Sequence, residues 1–115
     1  MQVKEDKSNE LADVINNYRP DLKPFEDVYR HLHTNPELSG QEEQTAKIAS
    51  DHLQTIGFEV HTKIGGHGVA GVLRNGTGPT ILLRADMDAL PVEEQTGLPT
   101  QAPDTSKMKQ EPISP

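Results

Sequence analysis

The stretch SGQEEQTAKIASDHLQTIGFEVHTK, residues 39–63, decides the fold, because its apolar period changes at Gly57 from that of a helix to that of a strand. Ser39 and Glu42 have the spacing of a capping box, which begins a helix. One face of this helix then carries the apolar residues Ala46, Ala49, Leu53 and Ile56. Because glycine commonly ends a helix, we expect the helix to span about 41–56 and to be followed directly by a strand.

Three strands are predicted after this helix. Apolar and polar residues alternate over 58–63, which indicates a half-exposed strand. Two further strands are expected over 69–74 and 80–85, joined across the turn-forming dipeptide Asn75-Gly76. Since residues 81–83 are consecutive apolar residues, the third strand is predicted to be covered on both faces.

Two helices are predicted upstream, so the fold class expected is α/β, with helices followed by strands. The first is short, with Leu11, Val14 and Ile15 on its apolar face, and it ends before Pro20. The second has Pro24 in its first turn, and its apolar stripe is formed by Phe25, Val28, Tyr29 and Leu32. We expect residues 1–8 and the proline-rich residues 99–115 to be disordered, which leaves a domain over 9–98.

The composition excludes several classes of function. The 115 residues have a net charge of −7, so neither nucleic acid nor an anionic membrane surface is an expected partner. There is no cysteine, which excludes disulfides and a cysteine nucleophile. The first residues lack an apolar signal-peptide core, and no apolar run is long enough to span a membrane. We therefore expect a soluble, cytoplasmic protein.

Three patterns could carry chemistry, and each has a structural alternative. Gly66-His-Gly-Val-Ala-Gly71 matches the G-x-G-x-x-G pattern, but no helix can follow it before the turn at Asn75, so we interpret it as a tight connection. The five histidines lack the spacing of metal ligands. Asp86 and Asp88 are the better candidates, because ligands gather at the carboxyl ends of covered strands; an ordinary turn remains the alternative for both.

Two stretches carry a resemblance to a known family, RHLHTNPELSGQEEQTAKIASDHLQTIGFEV and GGHGVAGVLRNGTGPTILLRADMDALPVEEQTGLP. They contain an H-x-x-P-E-L-S motif at 33–39, a G-x-G-V-x-G segment, and R-A-D-M-D-A-L-P. Over roughly residues 28–99 the chain resembles the metal-dependent amidohydrolases that include hippurate hydrolases, N-acyl-amino-acid hydrolases and indole-acetyl-amino-acid hydrolases, relatives of the zinc aminoacylases. The resemblance implies the N-terminal part of a zinc-exopeptidase-like catalytic domain.

The resemblance also implies roles for individual residues. Asp88 falls on a carboxylate that orients a group beside a two-metal centre, and Asp86 lies near that site without being a principal ligand. His33, Pro36 and Glu37 correspond to a helix end and a turn of the scaffold. The implied cofactor of the full-length family is a divalent metal, zinc or manganese, and the implied substrate is an N-acyl amino acid or a similar small amide.

Other features of the family are not found in this sequence. Its H-A-C-G-H-D motif and its Glu-Glu pair are absent, so we expect the chain to be cut off before the metal ligands, through an early stop, alternative splicing or a gene-model boundary. We accordingly expect no metal site in this chain and no activity from it alone. A non-enzymatic interaction module and a non-functional truncated product are the alternatives. Unpaired strand edges predict self-association.

Overall fold

The computed structural model describes residues 3–106 and 108 of the chain. Within these residues, three helices precede a two-stranded antiparallel sheet, which confirms the α/β class. The elements are α1 Val3–Asn17, α2 Lys23–Thr34, α3 Glu43–Thr55, β1 Glu59–Ile64 and β2 Gly68–Val72. The second and third helices and the first two strands therefore lie where the apolar periods predicted them, with ends shifted by one or two residues.

Helix α3 packs against both strands of the β1–β2 hairpin. The strands are in register with His61 opposite Ala70. The contact is close at Gly71, where an added Cβ would lie 3.1 Å from the Cδ1 of Leu53 and 3.1 Å from the Cδ2 of Phe58. Only a residue without a side chain leaves this space to the two apolar groups, because contacts of 3.1 Å between carbons are below the optimum of about 3.5–4.0 Å.

The connection between the strands confirms the interpretation of the glycine-rich motif. Gly66, with φ of +118°, lies in the turn that joins β1 to β2, and Gly68 already belongs to β2. No helix follows the motif, since β2 continues to Val72. The arrangement required for a pyrophosphate at a helix N-terminus is therefore not formed at this motif.

Helix α1 begins at Val3, upstream of the apolar residues that predicted it; the disorder expected over residues 1–8 stays a prediction. The apolar pattern indicated a helix only near Leu11, whereas the polar residues before it contain neither Gly nor Pro and include Lys and Glu, which favour helix. Residues 1 and 2 lie outside the described residues.

The structure does not confirm the predicted third strand, 80–85. The structure has no strand there, and the side chains of Ile81, Leu82 and Leu83 are 85%, 88% and 91% exposed. A strand needs a neighbour to receive its hydrogen bonds, and the loop that contains Gly76 and Gly78 does not return the chain to the edge of β2. The apolar pattern therefore marks a segment suited to a sheet that the described residues do not complete.

One residue of the proline-rich tail, Thr105, contacts the segment that follows Asp88. The Thr105 side chain is 2% exposed, and its hydroxyl donates to the carbonyl oxygen of Leu90 at 2.7 Å and accepts from the backbone N–H of Val92 at 3.1 Å. The disorder expected over residues 99–115 stays a prediction. Residues 107 and 109–115, which complete that prediction, lie outside the described residues.

The centre of the structure is a junction between two distant segments. Leu38 is 2% exposed and is the one buried apolar side chain among the described residues. It forms a parallel bridge with Ala89, whose N–H donates to the carbonyl oxygen of Glu37 at 2.8 Å. This junction fixes the segment that carries Asp86 and Asp88 against the start of α3.

Candidate functional site

A cavity of about 600 Å³ lies beside this junction. Helices α2 and α3 form one wall, and the segments 86–94 and 102–105 form the other. The apolar part of the lining comes mainly from Phe25, Val28, Tyr29, Leu32, Pro36, Ile48, Ala49, Met87, Ala89, Leu90, Val92, Ala102 and Pro103. The polar part comes from His33, Glu37, Thr45, His52, Asp86, Asp88, Glu94 and Thr105. An apolar cleft with a few polar groups has the composition of a small-molecule site.

Glu37 caps helix α3 from outside the helix. Its carboxylate accepts hydrogen bonds from the backbone N–H of Gln44 at 3.1 Å, from the backbone N–H of Thr45 at 2.5 Å, and from the Thr45 hydroxyl at 2.5 Å. The predicted capping box, with Ser39 as N-cap and Glu42 three residues on, is wrong. Glu42 itself occupies the N-cap position, and its side chain makes no capping hydrogen bond. The helix begins two residues later than predicted, which leaves Ser39 too far from its first N–H groups.

These contacts keep Glu37 ionised. Its partial burial alone would raise the pKa of the carboxyl, but the hydrogen bonds from Thr45 and Gln44 and the attraction of His67 outweigh burial, so the pKa lies below the usual value. A negative charge at a helix N-terminus is stabilised by the helix dipole. Glu37 therefore serves as a structural anchor, the role implied by its place at a turn of the scaffold.

His33 and Glu94 form a hydrogen bond that connects α2 to the far wall of the cavity. The Nε2 atom of His33 contacts Oε1 of Glu94, 61 residues further along the chain. Glu94 also accepts from the Thr96 hydroxyl at 2.9 Å and from the backbone N–H of Ala102 at 3.3 Å. The ring of Tyr29 stacks on His33 with centroids 6.0 Å apart.

The surroundings of Glu94 lower the pKa of its carboxyl. The hydrogen bond from Thr96 contributes most, burial opposes it, and the hydrogen bond and charge of His33 together with the Ala102 N–H add to the lowering. Glu94 is thus ionised near neutral pH and holds segment 94–102 against α2. The His33–Glu94 contact could not be predicted from sequence spacing, because the two residues are 61 positions apart and spacing patterns extend over a few residues only.

The two predicted site residues, Asp86 and Asp88, both line the cavity, but they share no hydrogen-bond partner. Asp86 pairs with Arg84, with Oδ1 and the guanidinium nitrogen 2.6 Å apart. Asp88 is exposed, and it makes no hydrogen bond with another described residue. The role that the resemblance implies for Asp88 stays a prediction.

The donor groups of the described residues do not fit a two-metal centre. Across 3–106 and 108, no three His, Cys, Asp or Glu side chains come together in a group that could hold a metal ion. His33 and Glu37, which face the same cavity, are committed to Glu94 and to the α3 N-terminus. We therefore assign these residues no catalytic step through a metal.

Several relatives with curated names are hydrolases. The chain is 49% identical over 76 residues to a hippurate hydrolase of Campylobacter jejuni, a match that covers 65% of this chain and 20% of that protein. It is 44% identical to an N-acetyl-L-cysteine deacetylase of Bacillus subtilis, covering 63% of this chain and 18% of that protein. It is 35% identical to an IAA-amino acid hydrolase of Arabidopsis thaliana, covering 76% of this chain and 21% of that protein.

These matches confirm the resemblance found in the sequence: over the matched residues, the chain is related to the amidohydrolases. It spans about one fifth of the length of the relatives named above. No protein-family model matches the chain, and no solved structure matches it. In the described part of the chain, the helices lack the combination of length and apolar composition that crossing a membrane requires.

Proposed function

We propose that this chain forms part of the catalytic domain of an amide hydrolase that acts on N-acyl amino acids or similar small amides. The observation that carries the proposal is the 49% identity to a hippurate hydrolase. Residues 9–98 would contribute the first helices and the hairpin of a zinc-exopeptidase-like domain. For its location we propose the cytoplasm, because a chain without cysteine gains no disulfide from an oxidising compartment.

Within this proposal, the described residues supply scaffold and one orienting group. Glu37 and the His33–Glu94 pair hold the walls of the cavity, and Asp88 presents a carboxylate from the end of segment 80–88. A carboxylate in this role fixes the direction of a neighbouring group instead of reacting itself. A divalent metal, zinc or manganese, belongs to the proposal for the complete enzyme, with ligands from outside the described residues. The isolated chain is proposed to be inactive.

A segment exchange tests this proposal. Residues 28–99 of this chain would replace the equivalent segment of the Campylobacter jejuni hippurate hydrolase, and cleavage of the hippurate amide bond would be followed by release of glycine. We expect the chimera to hydrolyse hippurate and the isolated 115-residue chain not to. A matched control places an unrelated helix–hairpin segment of the same length in the same position. A chimera that folds, as judged by circular dichroism, yet has no activity would contradict the proposal.

An association function is the second candidate, favoured by one observation. Ile81, Leu82 and Leu83 are the three most exposed large apolar side chains of the described residues. Because contiguous exposed apolar residues promote association, we propose that the chain self-associates in solution. Light scattering coupled to size-exclusion chromatography at several concentrations checks this, and a monomer at all of them would contradict it. A non-functional product is the outcome if both proposals fail.

A further inference from the structure

Residues 80–88 present a backbone edge that has no partner. Their N–H and C=O groups make no hydrogen bond with any other residue in the described part of the chain. An unpaired segment of this kind is a template for pairing with another strand. The side chains of residues 81–83 are 85–91% exposed, so nothing among the described residues covers them.

The composition of the segment fits a strand with two different faces. Odd-numbered positions carry the apolar side chains of Ile81, Leu83, Ala85, Met87 and Ala89. Even-numbered positions carry Thr80, Leu82, Arg84, Asp86 and Asp88. Such alternation is typical of an antiparallel strand with one covered and one solvated face. Met87 and Ala89 already lie at the cavity and are partly buried, which leaves the earlier apolar positions to be covered.

The junction at Leu38 determines which edge is open. The N–H of Ala89 donates toward the segment that contains Leu38. Successive residues of an extended strand point their backbone groups to opposite edges. In an extended segment, the even-numbered residues would thus direct their N–H and C=O groups to the other, unoccupied edge.

We propose that a second copy of this chain pairs with that open edge, antiparallel and centred on Ala85. In this register Arg84 lies opposite Asp86 of the second copy, and Asp86 lies opposite Arg84 of the second copy. Two ion pairs therefore form across the two-fold axis, and Leu83 faces Met87 of the second copy on the apolar side. The inference rests on the self-association proposed above and specifies its surface; it is independent of amide hydrolysis.

Charge selects this register over its neighbours. Pairing through the open edge places even-numbered residues opposite even-numbered residues of the second copy. The two-fold axis of the pair must therefore pass through a residue position, and the alternative registers are centred on the neighbouring residues. Centring on Arg84 would place two arginines opposite each other, and centring on Asp86 would do the same with two aspartates. Like charges opposite each other destabilise a sheet, whereas opposite charges stabilise it. The Arg84 and Asp86 side chains are 77% and 66% exposed, so both are accessible to a second copy.

Disulfide cross-linking tests the register. Because the chain has no native cysteine, any disulfide must form at the introduced residue. In the proposed pair the two Ala85 residues face each other with Cα atoms about 4.5 Å apart, within the range of a disulfide. We expect Ala85→Cys to form a disulfide-linked dimer under mild oxidation at least tenfold faster than the control Thr80→Cys, whose two copies would lie far apart. Equal rates would overturn the register.

Charge exchange tests the pairing without cross-linking. Arg84→Asp and Asp86→Arg should each weaken self-association at least tenfold, since each places like charges opposite one another. An equimolar mixture of the two variants should form a heterodimer with affinity close to that of the native pair, measured by analytical ultracentrifugation with one variant labelled. A chain that associates but shows neither the cross-link nor the heterodimer would overturn this inference and leave self-association standing. A monomeric native chain would overturn both.

Discussion

Glu37 makes hydrogen bonds to two separate parts of the described structure. Its side chain satisfies N–H groups at the start of α3, while its carbonyl oxygen accepts from Ala89. One residue thus joins the helix that supports the hairpin to the segment that carries Asp88. The sequence places Glu37 in a turn, but the identity of its partners depends on where α3 begins.

Replacing Glu37 tests this role. Glu37→Gln keeps the size of the side chain, but its amide presents only one acceptor oxygen to the three donors, and it removes the negative charge at the helix N-terminus. We expect a loss of about 1–2 kcal/mol in the free energy of unfolding, on the scale of a lost helix cap. Urea denaturation followed by circular dichroism measures it, and Glu10→Gln, an exposed change of the same charge on α1, serves as the control. Equal stability of the two variants would contradict the anchoring role.

At the scale of elements, the apolar period of a segment predicts a helix or a strand, but it does not predict which segments pair with each other. Helices α2 and α3 and the hairpin follow from the spacing of apolar residues within each segment, because that spacing matches the geometry of the element itself. Segment 80–85 has an equally good pattern and is not a strand, because a strand also needs a neighbour. The His33–Glu94 pair and the burial of Thr105 depend on segments far apart in sequence, which no local pattern records.

The connection between α2 and segment 94–102 should depend on pH. The pKa of Glu94 is lower in the folded chain than its ordinary value of 4.5. A lowered carboxyl pKa contributes stability that is present above the unfolded value and is lost as the pH falls through the folded one. We therefore expect stability to decline below about pH 4.5, with the slope reduced in Glu94→Gln.

Urea unfolding at pH values from about 7 to about 3 checks this prediction, because that range spans the titration of carboxyl groups. Glu37, whose pKa is lowered in the same direction, adds to the slope of the native chain, so Glu94→Gln should reduce it only in part. The exposed neighbour provides the matched control, since Glu93→Gln removes the same charge one position away. Identical pH profiles for the two variants would show that the Glu94 contacts do not contribute to folding.

The described residues bury few apolar side chains and leave many exposed. Leu38 is the one buried apolar side chain of the described residues, while the cavity wall and residues 81–83 stay open. The family could be predicted from the sequence because its motifs lie within the matched stretch. The metal centre implied by the resemblance could not be assembled from the described residues, since their acidic and histidine side chains are dispersed or engaged with other residues.

Asp88 tests whether this open surface serves the proposed reaction. In the isolated chain, Asp88→Asn should leave the circular dichroism spectrum and the free energy of unfolding unchanged, because Asp88 is exposed and forms no hydrogen bond with another described residue. In the chimeric hippurate hydrolase, the same isosteric change should lower activity or metal affinity by about 10- to 100-fold, the usual effect of losing a carboxylate that orients a metal ligand. Asp86→Asn is the matched control, since Asp86 lines the same cavity but pairs with Arg84, and we expect it to have the smaller effect. A chimera with Asp88→Asn that binds metal and turns over normally would reduce Asp88 to a turn residue. Loss of stability in the isolated chain would instead indicate a structural role for Asp88.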